Sequence, residues 1–188
     1  MSVRLERSAL GVDADGFLSR DALADRASRL DREQFVATFP VPALLVVGLE
    51  ALESETSASA VARGGADETL MGNTASRRAA TRYDGRVAFL TKRPGNPFPH
   101  MISLGRAATN DLVLALATIS KLHAYFVLEG SDWYLNDYRS TNGCTVNGHR
   151  LEKDEKRRLV CGDRLRIGCD FGAQFLAPPA LWERTRGA

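Results

Sequence analysis

From Tyr83 onward, short apolar runs alternate with turn-forming pairs, and this cadence constrains the fold more than any other feature of the chain. Val87-Ala88-Phe89-Leu90, Met101-Ile102-Ser103-Leu104, Leu112-Val113-Leu114, Ala124-Tyr125-Phe126-Val127-Leu128 and Trp133-Tyr134-Leu135 are all of strand length. Asn110-Asp111, Gly130-Ser131, Asn142-Gly143 and Asn147-Gly148 supply turn chemistry between them. Further on, Arg164-Leu165-Arg166-Ile167 alternates polar and apolar residues, and Ala173-Gln174-Phe175-Leu176 has the pattern of a last strand before Pro178-Pro179. Many short strands with frequent turns predict a mainly β chain, an antiparallel β-sandwich with its two sheets face to face.

The upstream third has a different character. Leu18, Ala22, Leu23, Ala27 and Leu30 recur near the helical period, and Asp31 with Gln34 forms a capping-box pattern ahead of Phe35, Val36 and Phe39. Pro40 and Pro42 stop that helix. The run Ala43 to Val47 fits a buried strand or a buried helical turn equally well. Residues 1–53 therefore form a partly helical N-terminal extension. Residues 54–81, rich in Ser, Thr, Ala, Gly and Arg, hold too little apolar surface to offset the entropy of ordering and are expected to be a flexible linker. A sandwich over 82–177 and a C-terminal tail over 178–188 complete the division.

Bulk properties narrow the function classes. A net charge of +2 with 26% charged residues, and arginines spread along the chain, give no field that argues for nucleic acid or a membrane surface. The start lacks the apolar core of a signal peptide, and the longest apolar run, Val41 to Gly48, is too short to span a bilayer. Cys144, Cys161 and Cys169 are odd in number and fit no metal spacing, so neither a disulfide framework nor a bound metal is expected, and the chain is expected in the cytoplasm with reduced thiols.

Four polar signatures punctuate the strand-rich half: Gly105-Arg106, Ser120-Lys121-Leu122-His123, Ser140-Thr141-Asn142-Gly143 and Val146-Asn147-Gly148. With Trp133 to Asp137, Leu159 and Gly162 to Gly168, they resemble at these spacings the forkhead-associated (FHA) domain over roughly Arg82 to Ala177. The resemblance implies an FHA-type sandwich that binds phosphothreonine peptides. The residue chemistry agrees. A phosphate monoester carries between one and two negative charges near neutral pH and three acceptor oxygens, and it needs donors from several directions. Arg106 offers a planar, permanently charged fork, Ser120 a compact hydroxyl and Lys121 a point charge.

By the resemblance, Arg106, Ser120 and Lys121 grip the phosphate, the Thr141 hydroxyl stands near it, and Asn142 hydrogen-bonds the peptide main chain. His123 is implied to brace the binding loop rather than to serve catalysis or a metal. Gly105 serves backbone geometry, and Asn147 ties one loop to another. Two positions depart from the family pattern. Cys144 stands where threonine or another small residue is more common. Arg139 precedes Ser140 where a small residue is usual; it is either a solvated loop arginine or a selector for an acidic residue C-terminal to the phosphothreonine. Asp67-Glu68-Thr69-Leu70 places a threonine after two acids ahead of the FHA half. This resembles bacterial FHA regulators whose phosphorylated N-terminal tail folds back onto their own domain, which implies Thr69 as a phosphoacceptor.

The function expected is that of a phosphothreonine-peptide-binding signalling adaptor, needing no cofactor and partnered by a phosphothreonine-containing protein and a Ser/Thr kinase. A phosphate-independent scaffold or secretion-system assembly component on the same fold is the alternative. An enzyme with a regulatory FHA half is disfavoured, because residues 1–81 contain no Cys, no His and no glycine-rich phosphate loop followed by Lys.

Overall fold

The computed structural model describes residues 7–54 and 78–186. Thr69 and most of the 54–81 segment lie outside them. The described residues form two stacked sheets. The first has the order β1-β3-β2-β12-β11-β8-β9, built from β1 (Phe17–Leu18), β2 (Ala43–Val46), β3 (Val87–Phe89), β8 (Cys144–Val146), β9 (His149–Arg150), β11 (Arg164–Ile167) and β12 (Phe171–Leu176). The second, β10-β7-β6-β4-β5, contains β4 (Ile102–Gly105), β5 (Leu112–Val113), β6 (Ala124–Glu129), β7 (Asp132–Asp137) and β10 (Lys156–Leu159). All pairings are antiparallel except β4 with β5. The mainly β sandwich expected from the strand cadence is the fold found.

The core between the sheets follows from alternation. Leu165 and Ile167 on β11 are fully buried while Arg164 and Arg166 are half-buried, and Phe126 on β6 faces Leu135 on β7 in register. These side chains join Leu44, Val46, Leu104, Leu114, Cys144 and Phe171 in one apolar cluster. A second cluster lies on the other face of the first sheet, where α2 (Arg20–Ser28), α3 (Arg32–Thr38) and a C-terminal helix α5 (Pro178–Arg186) cover it. Two further short helices are α1 (Arg7–Leu10) and α4 (Leu49–Ser54). Phe39 stacks on Phe89 with ring centroids 5.2 Å apart and meets Phe35 at 4.7 Å. The capping box of Asp31 and Gln34 is formed, and α3 ends before Pro40 as expected. Ser19 caps α2, so Leu18 falls outside the helical pattern and lies in β1.

The run that sequence periodicity left open, Ala43 to Val46, is a strand lying between β3 and β12. It resolves as a strand because edges on both sides demand its backbone groups. The first sheet therefore draws strands from both sides of the boundary drawn at residue 82, and the segment rich in Ser and Thr joins two adjacent strands. Its flanks sit at a defined end of the sandwich: Val47 N donates to Gly172 O at 3.0 Å, just past the β11–β12 turn, and Leu45 pairs with Val87. Residues 178–186 are likewise helix rather than tail.

Residues 13–18 close the open side between the sheets. Phe17 pairs with Ala88 on the first sheet, and Asp15 O accepts from Val113 N of β5 at 2.9 Å on the second. The Asp13 carboxylate shapes this strap by accepting from the backbone N–H of Asp15 and Phe17 and pairing with Arg86. Two exposed edges are thereby covered by one segment.

Removing residues 1–81 takes away β1 and β2 and leaves β3 and β12 without their shared partner. A fragment of residues 82–188 is expected to lose the cooperative melt of the intact chain and to aggregate, as read by circular dichroism and size-exclusion chromatography. In the intact chain, Leu44→Ala is expected to cost about 2–5 kcal/mol, measured by denaturant unfolding; a folded, monomeric fragment would contradict this account of the sheet.

Candidate functional site

Three loops converge at the end of the sandwich where β4 stops, β6 starts and β7 turns into β8. The first two are zipped together by backbone bonds: Arg106 N donates to Ser120 O at 2.8 Å and Ala107 N to Lys121 O at 3.0 Å. This approach is what Gly105 permits, since a Cβ there would fall 2.4 Å from Lys121 O. Buried Asn110 fastens the same junction, its amide donating to Ala107 O at 2.8 Å and Lys121 O at 2.7 Å. The neighbouring Asp111 is fully buried and accepts from Lys92 Nζ, Arg93 N, Ser103 N and Ser103 Oγ. Asn110 and Asp111 thus do more than make a turn. They anchor the loop from within.

Arg106 is exposed, and its Nε donates to Ile119 O at 3.1 Å. That bond aims the fork, and the two η nitrogens have no partner among the described residues. Ser120 is half-buried beside it, its Oγ accepting from Thr141 N at 3.2 Å and lying 3.5 Å from Thr141 Oγ1. Asn142 Nδ2 donates to Thr118 O at 2.7 Å, and its amide oxygen has no partner among the described residues. Lys121 is exposed at the rim. Arg106, Ser120, Thr141 and Asn142 thus meet along the segment from Thr118 to Ser120, with Lys121 next in the chain: a forked cation, two hydroxyls and an amide on one small surface, suited to a multiply charged anion.

The third loop is held by its own polar chemistry. Asp137, buried at the end of β7, accepts from Ser140 N at 2.8 Å and Ser140 Oγ at 2.7 Å, and Ser140 Oγ accepts from Gly143 N at 2.8 Å. His123 then joins the second and third loops. Its Nδ1 accepts from Ser120 N at 3.0 Å, and because a backbone N–H can only donate, Nε2 carries the proton and donates to Gly143 O at 3.1 Å. Both ring nitrogens of His123 are thus spent on bonds between the two loops. Spacing along the chain hides that Asp137 and Cys144 lie against this imidazole, the three ligand-type atoms within 4.8 Å of one another. Both ring nitrogens are already used, so the cluster acts as a brace. Burial, with Asp137 alongside, pushes the Cys144 thiol up, which keeps it protonated and able to donate to Asp137 in place of a hydroxyl.

Two further residues singled out from the sequence are engaged with other partners. Asn147 links turns, Nδ2 donating to Asp163 Oδ1 at 2.8 Å and Oδ1 accepting from Arg164 N at 2.9 Å. Arg139, with φ of 50°, directs its guanidinium to Asp154 at 3.1 Å, an exposed pair that engages the charge offered to a ligand. Sequence reasoning passed over Thr118, whose hydroxyl donates to Asp170 at 2.9 Å and whose carbonyl orients Asn142. Ser140 and Asp137, three residues apart, carried a readable signal, the local side-chain turn.

The chain is thus a two-sheet sandwich whose end loops carry convergent polar side chains. Residues 102–168 match the family model of the FHA domain, so the chain carries an FHA domain. Among curated proteins, the chain is 39% identical over 72 residues to the transcriptional regulatory protein EmbR of Mycobacterium tuberculosis, covering 38% of this chain and 18% of EmbR. It is 38% identical over 77 residues to the glycogen accumulation regulator GarA of Mycolicibacterium smegmatis, covering 41% and 46%. The chain thus spans under half the length of these relatives. A solved structure of Mycobacterium tuberculosis EmbR with a low-affinity phosphopeptide is similar at 33% identity and a TM-score of 0.43, covering 50% of this chain and 22% of that one. Among the described residues, no helix is long and apolar enough to cross a membrane.

Burial holds the His123 imidazole below its ordinary value, the bond to Gly143 and nearby Asp137 only partly opposing this. A protonated ring would turn Nδ1 into a donor facing the Ser120 N–H. The unfolded chain takes up this proton as pH falls through about 6.5 and the folded chain does not, so stability is expected to fall from there until the lower folded value is reached. The check is NMR titration of the imidazole, whose midpoint should lie below about 6.5, with denaturant midpoints falling over the same window.

Proposed function

We propose that this chain is a phosphothreonine-peptide-binding signalling adaptor that acts with Ser/Thr protein kinases. The observation that carries the reading is the convergence of Arg106, Ser120, Thr141 and Asn142 on one surface, with the Arg106 fork aimed by its bond to Ile119 and otherwise unengaged. Phosphorylation of a partner creates the ligand. Arg106 and Ser120 take phosphate oxygens, Lys121 adds charge at the rim, and Asn142 meets the peptide main chain. The chemistry requires no cofactor and no bond making, and the kinase contributes the phosphate elsewhere. The complexed phosphopeptide in the EmbR structure supports the same ligand class. Thr69, outside the described residues, enters the proposal as a phosphoacceptor within the same chain; kinase treatment of the intact chain and mass spectrometry read it directly.

Titration of the intact chain with matched peptides tests the proposal. Phosphothreonine peptides are expected to bind and their unphosphorylated forms are not. Arg106→Ala is expected to lose roughly 1.5–3 kcal/mol, one to two decades in affinity, with an unchanged melt. Phosphoserine in place of phosphothreonine removes a methyl group worth roughly 1 kcal/mol when buried, so weaker binding is expected. Equal binding of phosphorylated and unphosphorylated peptides would favour the phosphate-independent scaffold.

A further inference from the structure

We propose that Arg150 is a specificity-determining residue of this site, reading a carboxylate that flanks the phosphothreonine in the ligand. The inference rests on the function proposed above and names the ligand more closely.

Its basis is the β8–β9 hairpin. Asn147 and Gly148 have φ of 51° and 81°, the two left-handed residues of a tight hairpin turn, and this turn sets Arg150 opposite Thr145. Gly143, immediately before β8, has φ of 78° and no side chain. The guanidinium of Arg150 fills that space: a Cβ on Gly143 would fall 2.7 Å from Arg150 Nη2 and 2.8 Å from its Cζ. A permanent cation is therefore seated on the loop whose Thr141 and Asn142 belong to the phosphopeptide surface. Its charge also reaches the Cys169 thiol, in the β11–β12 turn on which Thr118 and Ile119 rest.

Four other cations of this half are paired. Arg139 pairs with Asp154, Lys156 with Glu129, Arg157 with Glu155 and Arg158 with Asp132. Arg150 is exposed and has neither an ion pair nor a hydrogen bond with any described residue. A peptide spans about 3.3–3.6 Å per residue when extended, so one held at Asn142, next to Gly143, has residues flanking its phosphate within reach of this guanidinium. An aspartate or glutamate at that point gains charge-assisted bonds without displacing an existing partner. Of the two arginines flanking the loop, the unpaired one is the selector.

The test is fluorescence titration of the intact chain with a phosphothreonine peptide in which each flanking position in turn carries Asp, Ala or Lys. The proteins are the parent, Arg150→Ala, Arg150→Glu and Arg139→Ala. At one position Asp is expected to bind about threefold to fivefold tighter than Ala, less so at high salt, as suits an exposed pair. That ratio should fall to about one in Arg150→Ala and invert in favour of Lys in Arg150→Glu. An acid preference that survives Arg150→Ala, one abolished by Arg139→Ala instead, or none at any position overturns the assignment. Failure of every phosphothreonine peptide to bind the parent is a separate result and overturns the reading of the site itself.

Discussion

The imidazole of His123 is the joint on which the site depends. One ring nitrogen takes the N–H of Ser120 and the other gives its proton to Gly143 O, so a single buried side chain sets the distance between the loop carrying Ser120 and the loop carrying Thr141 and Asn142. The Ser120 and Thr141 hydroxyls lie 3.5 Å apart because their loops are fixed from beneath. Burial of an imidazole with both nitrogens satisfied costs little, whereas an unsatisfied N–H at Ser120 would carry a full desolvation penalty. Asp137 extends the joint by holding Ser140, and the Cys144 thiol completes its surroundings.

This joint works only if the sheets beneath it are closed. β2 stands between β3 and β12, and the strap of residues 13–18 ties β3 to β5 at the opposite edge. β5 adjoins Asn110 and Asp111, which fasten the Arg106 loop, and Arg7 of α1 donates to Asp111 O at 2.7 Å. The N-terminal residues are thus continuous with the packing that positions Arg106. The helical layer of α2, α3 and α5 buries the remaining face of the first sheet, giving that sheet apolar cover on both sides.

The parts legible in the sequence are those encoded locally. Strand alternation at Arg164 to Ile167, the Asp31 and Gln34 capping box and the four polar signatures each report on residues close in the chain. Ala43 to Val46 was not legible as a sheet member because its partners, Val87 to Phe89 and Ala173 to Leu176, are remote, and a short apolar run carries no period of its own. The same limit hid the contact of Asp137 and Cys144 with His123. Arg150 is an intermediate case. The Asn147-Gly148 turn predicts its pairing with Thr145, yet the resting of its head group on the side-chain-free Gly143 is a tertiary contact with no local signal.

Charge at this surface is shaped as much by pairing as by placement. An exposed ion pair contributes little to stability, typically below about 1 kcal/mol. Its larger effect here is to take cations out of play. Along β10 and the loops around it, Arg139, Lys156, Arg157 and Arg158 each face a carboxylate, so a chain with net charge of only +2 does not present a diffuse basic field. What remains beside the loops is focal: the Arg106 fork, aimed by one backbone carbonyl, Lys121 at the rim, and the Arg150 head seated on Gly143. A diffuse basic surface would attract any polyanion, whereas two fixed guanidiniums on opposite flanks of Thr141 and Asn142 along the chain favour a ligand whose anions are spaced to match. Discrimination then comes from geometry held by His123 and Asn110, and the net charge of the chain has little part in it.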